Sequence, residues 1–222
     1  MINYKLVRSS RKTICINIRN GAVEVRAPYK STQKEIEQVL LSKQKWINQC
    51  LANQRAIIET RASFELDYGS LILWRGNLYP IVQGEHVCFT GDAFHMPPGL
   101  SPQQIKAVCI LLYRQLGLAY FTERTKYYSK KMGVTPSAVK VNGAKTRWGS
   151  CSSKKSINFS WRLGLACDEI IDYVVVHELA HLLEMNHSAR FWAIVKDVLP
   201  GYAAAKTGLK ALQIRLANEN WE

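Results

Sequence analysis

The chain has 222 residues, of which 47% are hydrophobic and 21% charged, and carries a formal net charge of +13. That balance excludes a disordered or collagen-like polymer and supplies enough apolar side chain for one large domain or two small ones. No apolar run approaches the ~18 residues of a membrane span, and Met1-Ile2-Asn3-Tyr4-Lys5 turns polar at once, so a soluble cytoplasmic protein with no membrane partner is expected.

The first thirty residues predict a β-meander. Ile14, Ile16 and Ile18 alternate with polar neighbours, Asn20-Gly21 supplies a tight hairpin turn, and Val23 and Val25 alternate until Pro28. Thr32-x-x-Glu35 has the form of a capping box. It opens one long helix to about Arg61, with Ile36, Leu40, Ile47, Leu51 and Ile58 along its stripe. Four short strands follow, at Leu71–Trp74, Leu78–Val82, His86–Thr90 and Ala93–Met96, before Pro97-Pro98-Gly99 breaks the pattern. Ser101-Pro102 caps a helix running to about Lys131, with Gly133 as its stop. Strands at Ala138–Val141 and Ile157–Trp161 then lead to a helix capped by Asp168. Strands cluster early and helices late, so the fold class is α+β. The expected division is a β-rich region with one long helix over 1–100 and a helical region over 101–222.

Charge is unevenly spread. Residues 1–62 hold 12 basic and 4 acidic side chains and residues 120–156 hold 9 and 1, while the segments between and after them are slightly acidic. The two basic blocks admit weak nucleic-acid binding or a nucleotide's phosphates. Six cysteines without a CxxC pair are expected to be reduced thiols, most of them small buried hydrophobes.

The chemistry lies in Val176-His177-Glu178-Leu179-Ala180-His181-Leu182. Histidines four apart on a helix differ by about 40° in direction and one turn in height, so both imidazoles can meet one ion. Glu178, about 100° from His177, can take a proton from metal-bound water without being a ligand. The flanking residues are apolar on nearly every face, and polar groups in such a helix are costly unless satisfied. Zinc wants a third protein ligand. His187 reaches the ion only if the helix ends between His181 and His187, which a left-handed Asn186 and an N-capping Ser188 before a helix at Ala189–Leu199 allow. Glu184 competes but lies a turn beyond His181 and reads as a supporting or surface residue. His86 and His95, each on a short strand, read as structural.

Together, Arg147-Trp148-Gly149-Ser150-Cys151-Ser152, the strand ending in Trp161-Arg162-Leu163, the His177–Leu182 motif and Asn186-His187-Ser188 with Phe191-Trp192 resemble the YgjP-like metallopeptidase family. These are minimal zincins similar in outline to SprT-type proteases. The resemblance implies one zinc ion per chain held by His177, His181 and His187, with Glu178 as general base. Ser160 stands where the family usually has Asn, so no substrate role is carried onto it. Some family members are described as nucleoside triphosphate, particularly UTP, pyrophosphatases. The leading expectation is hydrolysis of a peptide or protein substrate. A nucleoside triphosphate pyrophosphatase using the same site is the second, and a non-catalytic nucleic-acid-binding module with a structural metal the third. Arg147, Trp148, Ser150 and Tyr202 are the candidate substrate contacts, Arg147 as a partner for phosphate or oxyanion and Tyr202 as an oxyanion donor.

Overall fold

A computed structural model describes residues 2–19 and 21–221, which fall into two compact units. Of the described residues, those up to Phe64 and Ala217–Asn220 form the first, and Glu65–Leu216 with Trp221 the second. The chain thus divides after Phe64 rather than at residue 100: the second group of strands belongs with the helices that follow it.

The first unit has strands β1 (Tyr4–Ser9), β2 (Cys15–Arg19) and β3 (Ala22–Pro28), then helices α1 (Gln33–Ser42) and α2 (Gln44–Ala62). The sheet order is β1-β3-β2, with β1 parallel to β3, so it is not the expected meander. β3 takes the centre because its inward set, Val23, Val25 and Ala27, is the most completely buried. Asn20 of the predicted turn lies outside the described residues; Gly21 has φ 74°. The Thr32–Glu35 capping box forms. The predicted single helix is two, because the backbone breaks at Lys43 (φ −106°, ψ 7°). The break brings Ile36, Leu40 and Ile47 onto β3 and leaves Ile58 and Trp46 about half exposed.

The second unit opens with β4 (Leu71–Trp74), β5 (Asn77–Gln83), β6 (Cys88–Phe89) and β7 (Phe94–Met96), in the order β4-β5-β7-β6. Helix α3 (Pro102–Met132) has the predicted capping box and ends at left-handed Gly133. By length and composition α3 is apolar enough to cross a membrane, although its apolar residues are too dispersed to read as one run. Its buried face includes Ile105, Tyr113, Phe121 and Tyr128, and Tyr113 stacks parallel on Trp161 at 5.5 Å. Strands β8 (Ala138–Asn142), β9 (Gly149–Cys151) and β10 (Ser156–Ser160) form a sheet in the order β8-β10-β9, which leaves β9 at an edge. β10 stops at Ser160, and Trp161–Leu165 is a 3-10 helix rather than the end of a strand. Helices α4 (Asp168–Ala180), α5 (Ala189–Val198) and α6 (Tyr202–Ala217) complete the unit. The strand and helix signals of the sequence leave α6 unmarked.

Two ion pairs set where α4 lies. At the β4–β5 hairpin tip, Arg75 (φ 49°) and Gly76 (φ 77°) make the left-handed turn that a two-residue hairpin needs. A Cβ on Gly76 would meet Cys167 Cβ at 2.8 Å. Cys167, not Asp168, is the N-cap of α4. Asp168 instead accepts from the Arg75 guanidinium at 2.7 and 2.5 Å. One turn on, Asp172 accepts from Arg124 of α3 at 2.6 and 2.7 Å and from the Tyr128 hydroxyl at 2.9 Å. All six cysteines are free, but only Cys109 is buried; the other five are half-buried.

Arg75 holds the Asp168 carboxyl below its ordinary range, against the opposing effect of burial. A depressed folded-state value contributes stability above about pH 4 that is lost as pH falls through the folded-state pKa. The Asp168 side chain is 41% exposed, which limits such a pair to about 0.5–1 kcal/mol. Asp168→Asn is therefore expected to lower the melting temperature by roughly 1–4 °C at pH 7, with the difference closing in acid, as followed by calorimetry across pH.

Candidate metal centre

Helix α4 carries Ile171, Tyr173, Val174, Val175, Val176, Leu179 and Ala180 buried on nearly every side. It ends at Ala180 with His181 as its C-cap, φ −65° and ψ −16°. A tight turn follows, in which Leu183 and Glu184 both donate to the Ala180 carbonyl. Among the described residues outside glycine only Arg75 and Lys155 have positive φ, so Asn186 does not take the predicted left-handed conformation. The chain turns by closing hydrogen bonds instead. Ser188 then caps α5, its hydroxyl accepting from the Phe191 amide.

The helix end brings His187 back to the helical pair. His177, His181 and His187 place one ring nitrogen each within 4.8 Å of one another. The Nε2 atoms of His177 and His187 stand 3.0 Å apart. Two nitrogens on one tetrahedral zinc ion lie roughly 3.3 Å apart, given a Zn–N bond of about 2.05 Å. His181 Nδ1 lies 3.2 Å from the Glu184 carbonyl, a contact that places its proton there and leaves Nε2 bare. His177 Nδ1 is buried without a partner. Burial, reinforced by His181, His187 and Lys206, holds the His177 pKa down to about 3, and burial likewise lowers that of His181. Three ring nitrogens brought this close offer a shared set of lone pairs that a cation at their centre can take up. The residues therefore fit a metal ion.

Glu178 is 5% exposed. Burial pushes its carboxyl up to about 7, and the Arg147 guanidinium pulls the other way. Its space comes from Gly149 on β9, where a Cβ would stand 2.5 Å from Glu178 Oε1 and 2.7 Å from its Cγ. Phe191, fully buried, lies under all three histidines, with ring centroids 4.9, 4.7 and 4.7 Å away. Trp192 stacks on His187 at 5.9 Å and on Tyr202 at 5.5 Å, and Tyr202 stacks in turn on Tyr173 at 6.2 Å.

Of the predicted contacts, Tyr202 is thus joined to the histidines through Trp192, and exposed Arg147 lies close enough to act on Glu178. Ser150 is half-buried on β9 beside Gly149, opposite Asn158. Among the described residues Trp148 makes no ring contact with the histidines; its carbonyl accepts from the Ser160 amide at 2.8 Å. Ser160 is buried and donates to the Ala144 carbonyl at 2.7 Å, a bond that pins the loop before β9. The Glu184 side chain faces Arg190 at 3.9 Å. His95 sits against Thr90 on β7, and His86 lies in an exposed loop rather than on a strand. Gly149, Tyr173 and Lys206 are not singled out by the sequence. Only Gly149 leaves a trace there, as the small residue within Trp148-Gly149-Ser150.

Two imidazoles one helical turn apart, a third after the helix end and a buried carboxylate between them form the arrangement of a metal-dependent hydrolase. The model for the YgjP-like metallopeptidase domain matches residues 12–212, so the chain belongs to that family. Family membership brings metallopeptidase-type function and implies a metal. No curated protein matches the chain. Similar solved structures include the metallopeptidase zymogen abylysin of Pyrococcus abyssi, 24% identical with a TM-score of 0.39 over 45% of this chain and 97% of that one. Another is the metallopeptidase zymogen jannalysin of Methanocaldococcus jannaschii, 18% identical with a TM-score of 0.37 over 43% and 96%.

His187→Ala is expected to weaken zinc binding by at least about a hundredfold, whereas His86→Ala leaves it unchanged; competition with a chromophoric chelator measures both. Gly149→Ala should leave zinc affinity within about twofold while hydrolysis falls by about a hundredfold, because the new methyl displaces the Glu178 carboxylate and not the imidazoles.

Proposed function

We propose that this protein is a zinc-dependent peptidase in which His177, His181 and His187 hold the metal and Glu178 is the general base. The observation that carries the reading is the convergence of three imidazoles beside a Glu178 carboxylate that is buried against the edge strand β9 in the space Gly149 leaves open, Glu178 being next in sequence to His177. Zinc suits three imidazoles with an open fourth position, and when bound it supplies Lewis acidity that acidifies water and polarises a carbonyl.

The chain's own residues do the rest. Glu178, next in sequence to a ligand, accepts the proton of the attacking water on its carboxylate and delivers it to the departing amine. Its burial keeps competing water away and makes the carboxylate a stronger base than an exposed one. β9 pairs through one side only, so its other edge can align an extended peptide by main-chain hydrogen bonds. Such alignment would set a scissile carbonyl beside Gly149, where no side chain intervenes. Arg147, with no carboxylate at salt-bridge distance among the described residues, is available to steady the developing oxyanion, as is the Tyr202 hydroxyl across the cluster. The free strand edge favours a peptide over a nucleotide, which has no backbone to pair.

The test is cleavage of an unfolded protein such as casein by zinc-loaded protein. Glu178→Gln is expected to reduce kcat by 10²–10⁴-fold while binding one zinc as the unaltered protein does. Undiminished turnover in that variant removes Glu178 as the base. Release of pyrophosphate from nucleoside triphosphates without any peptide cleavage reassigns the substrate.

A further inference from the structure

Beside the histidine cluster stands a cation that neither the fold nor the metal requires. Lys206 lies on α6 one turn after Tyr202, with its Nζ 4.6 Å from the centroid of the Trp192 ring. Trp192 in turn lies 5.9 Å from both His177 and His187, ring centre to ring centre. Lys206 is exposed, and among the described residues it has no carboxylate within salt-bridge distance. Trp192 instead holds the ammonium over its ring, on the residue that packs against His177 and His187.

That placement has a cost. A lysine beside a cation-binding cluster repels the cation, and among the described residues Lys206 has no paired carboxylate to offset it; Glu184 faces Arg190, and Asp168 and Asp172 are engaged with Arg75 and Arg124. With Arg147 two residues before the Gly149 that packs on Glu178 and Lys206 over Trp192, the site carries two exposed cations, neither paired with a carboxylate among the described residues. The missing complement is an anion brought by the substrate.

We propose that Lys206 is a specificity residue, selecting peptides that carry a carboxylate close to the scissile bond, either an acidic side chain or a free chain terminus. The assignment rests on the peptidase reading for its substrate, but binding tests it separately from turnover.

Fluorescence anisotropy on zinc-loaded Glu178→Gln protein would compare four labelled peptides differing only in charge. One has a central Glu and an amidated terminus, one a central Lys and an amidated terminus, one a central Gln and a free terminus, and one a central Gln and an amidated terminus. The Glu or the free-terminus peptide is expected to bind roughly fivefold tighter than its amidated Gln counterpart, and which of the two does so identifies the carboxylate. Adding Lys206→Arg should keep the preference, Lys206→Gln should abolish it, and Lys206→Glu should reverse it in favour of the Lys peptide. A residue that merely packs on Trp192 would shift all four peptides together. Equal binding of the four peptides, no binding of any, or a preference untouched by Lys206→Glu overturns the proposal. Selective binding with no cleavage by the unsubstituted protein sinks the peptidase reading and leaves the carboxylate site standing. Cleavage without charge preference does the reverse.

Discussion

Three imidazole nitrogens converge on one small volume at the end of an apolar helix, and the second unit is built to keep them there. His177, His181 and His187 turn ring nitrogens toward one another, and Glu178 lies buried alongside. Groups of this kind lose their hydration when packed into a core and regain it only from partners with the right geometry. The protein supplies some of these, such as the Glu184 carbonyl for His181. What is left over, a shared focus of lone pairs beside a carboxylate whose ionised form burial disfavours, is a demand that a metal ion would meet.

The surrounding structure follows from that demand. A focus this small tolerates little displacement of α4, and the helix is tied at successive turns to two separate elements, through Arg75 to the β4–β5 hairpin and through Arg124 to α3. Bidentate guanidinium–carboxylate pairs fix orientation as well as distance. On the other side, Phe191 supplies a flat apolar floor for the three rings, and Trp192, Tyr202 and Tyr173 continue it as a stack. The same stack carries Lys206 to the rim. One aromatic assembly thus supports the three histidines and holds the Lys206 ammonium.

The parts of this arrangement that depend on neighbours along the chain are legible in the sequence. The His177–His181 spacing, the capping residues Thr32, Ser101 and Ser188, and the stop at Gly133 all act within a turn of helix, and each is where its pattern places it. His187 follows from requiring the helix to end, which it does, though by closing hydrogen bonds at the Ala180 carbonyl instead of through Asn186. What stays hidden is long-range. The contact between Gly149 and Glu178 joins positions 29 residues apart, and a glycine before a serine looks like any turn. β1 pairs with β3 across the intervening strand, a choice governed by which strand buries most and not by chain order. The break at Lys43 has neither proline nor glycine to announce it; it arises because two short helices cover the sheet where one straight helix would leave it. Lys206 is one of 30 basic residues until Trp192 is seen beneath it.

X-ray absorption at the zinc edge of the loaded protein addresses the metal site itself. Three imidazole nitrogens and one further light atom, all at about 2.0–2.1 Å, are the expected shell. A sulfur at about 2.3 Å would instead bring in a cysteine such as the half-buried Cys151 of β9. That result, or a shell with fewer than three imidazoles, would contradict the convergence of His177, His181 and His187 on a single ion.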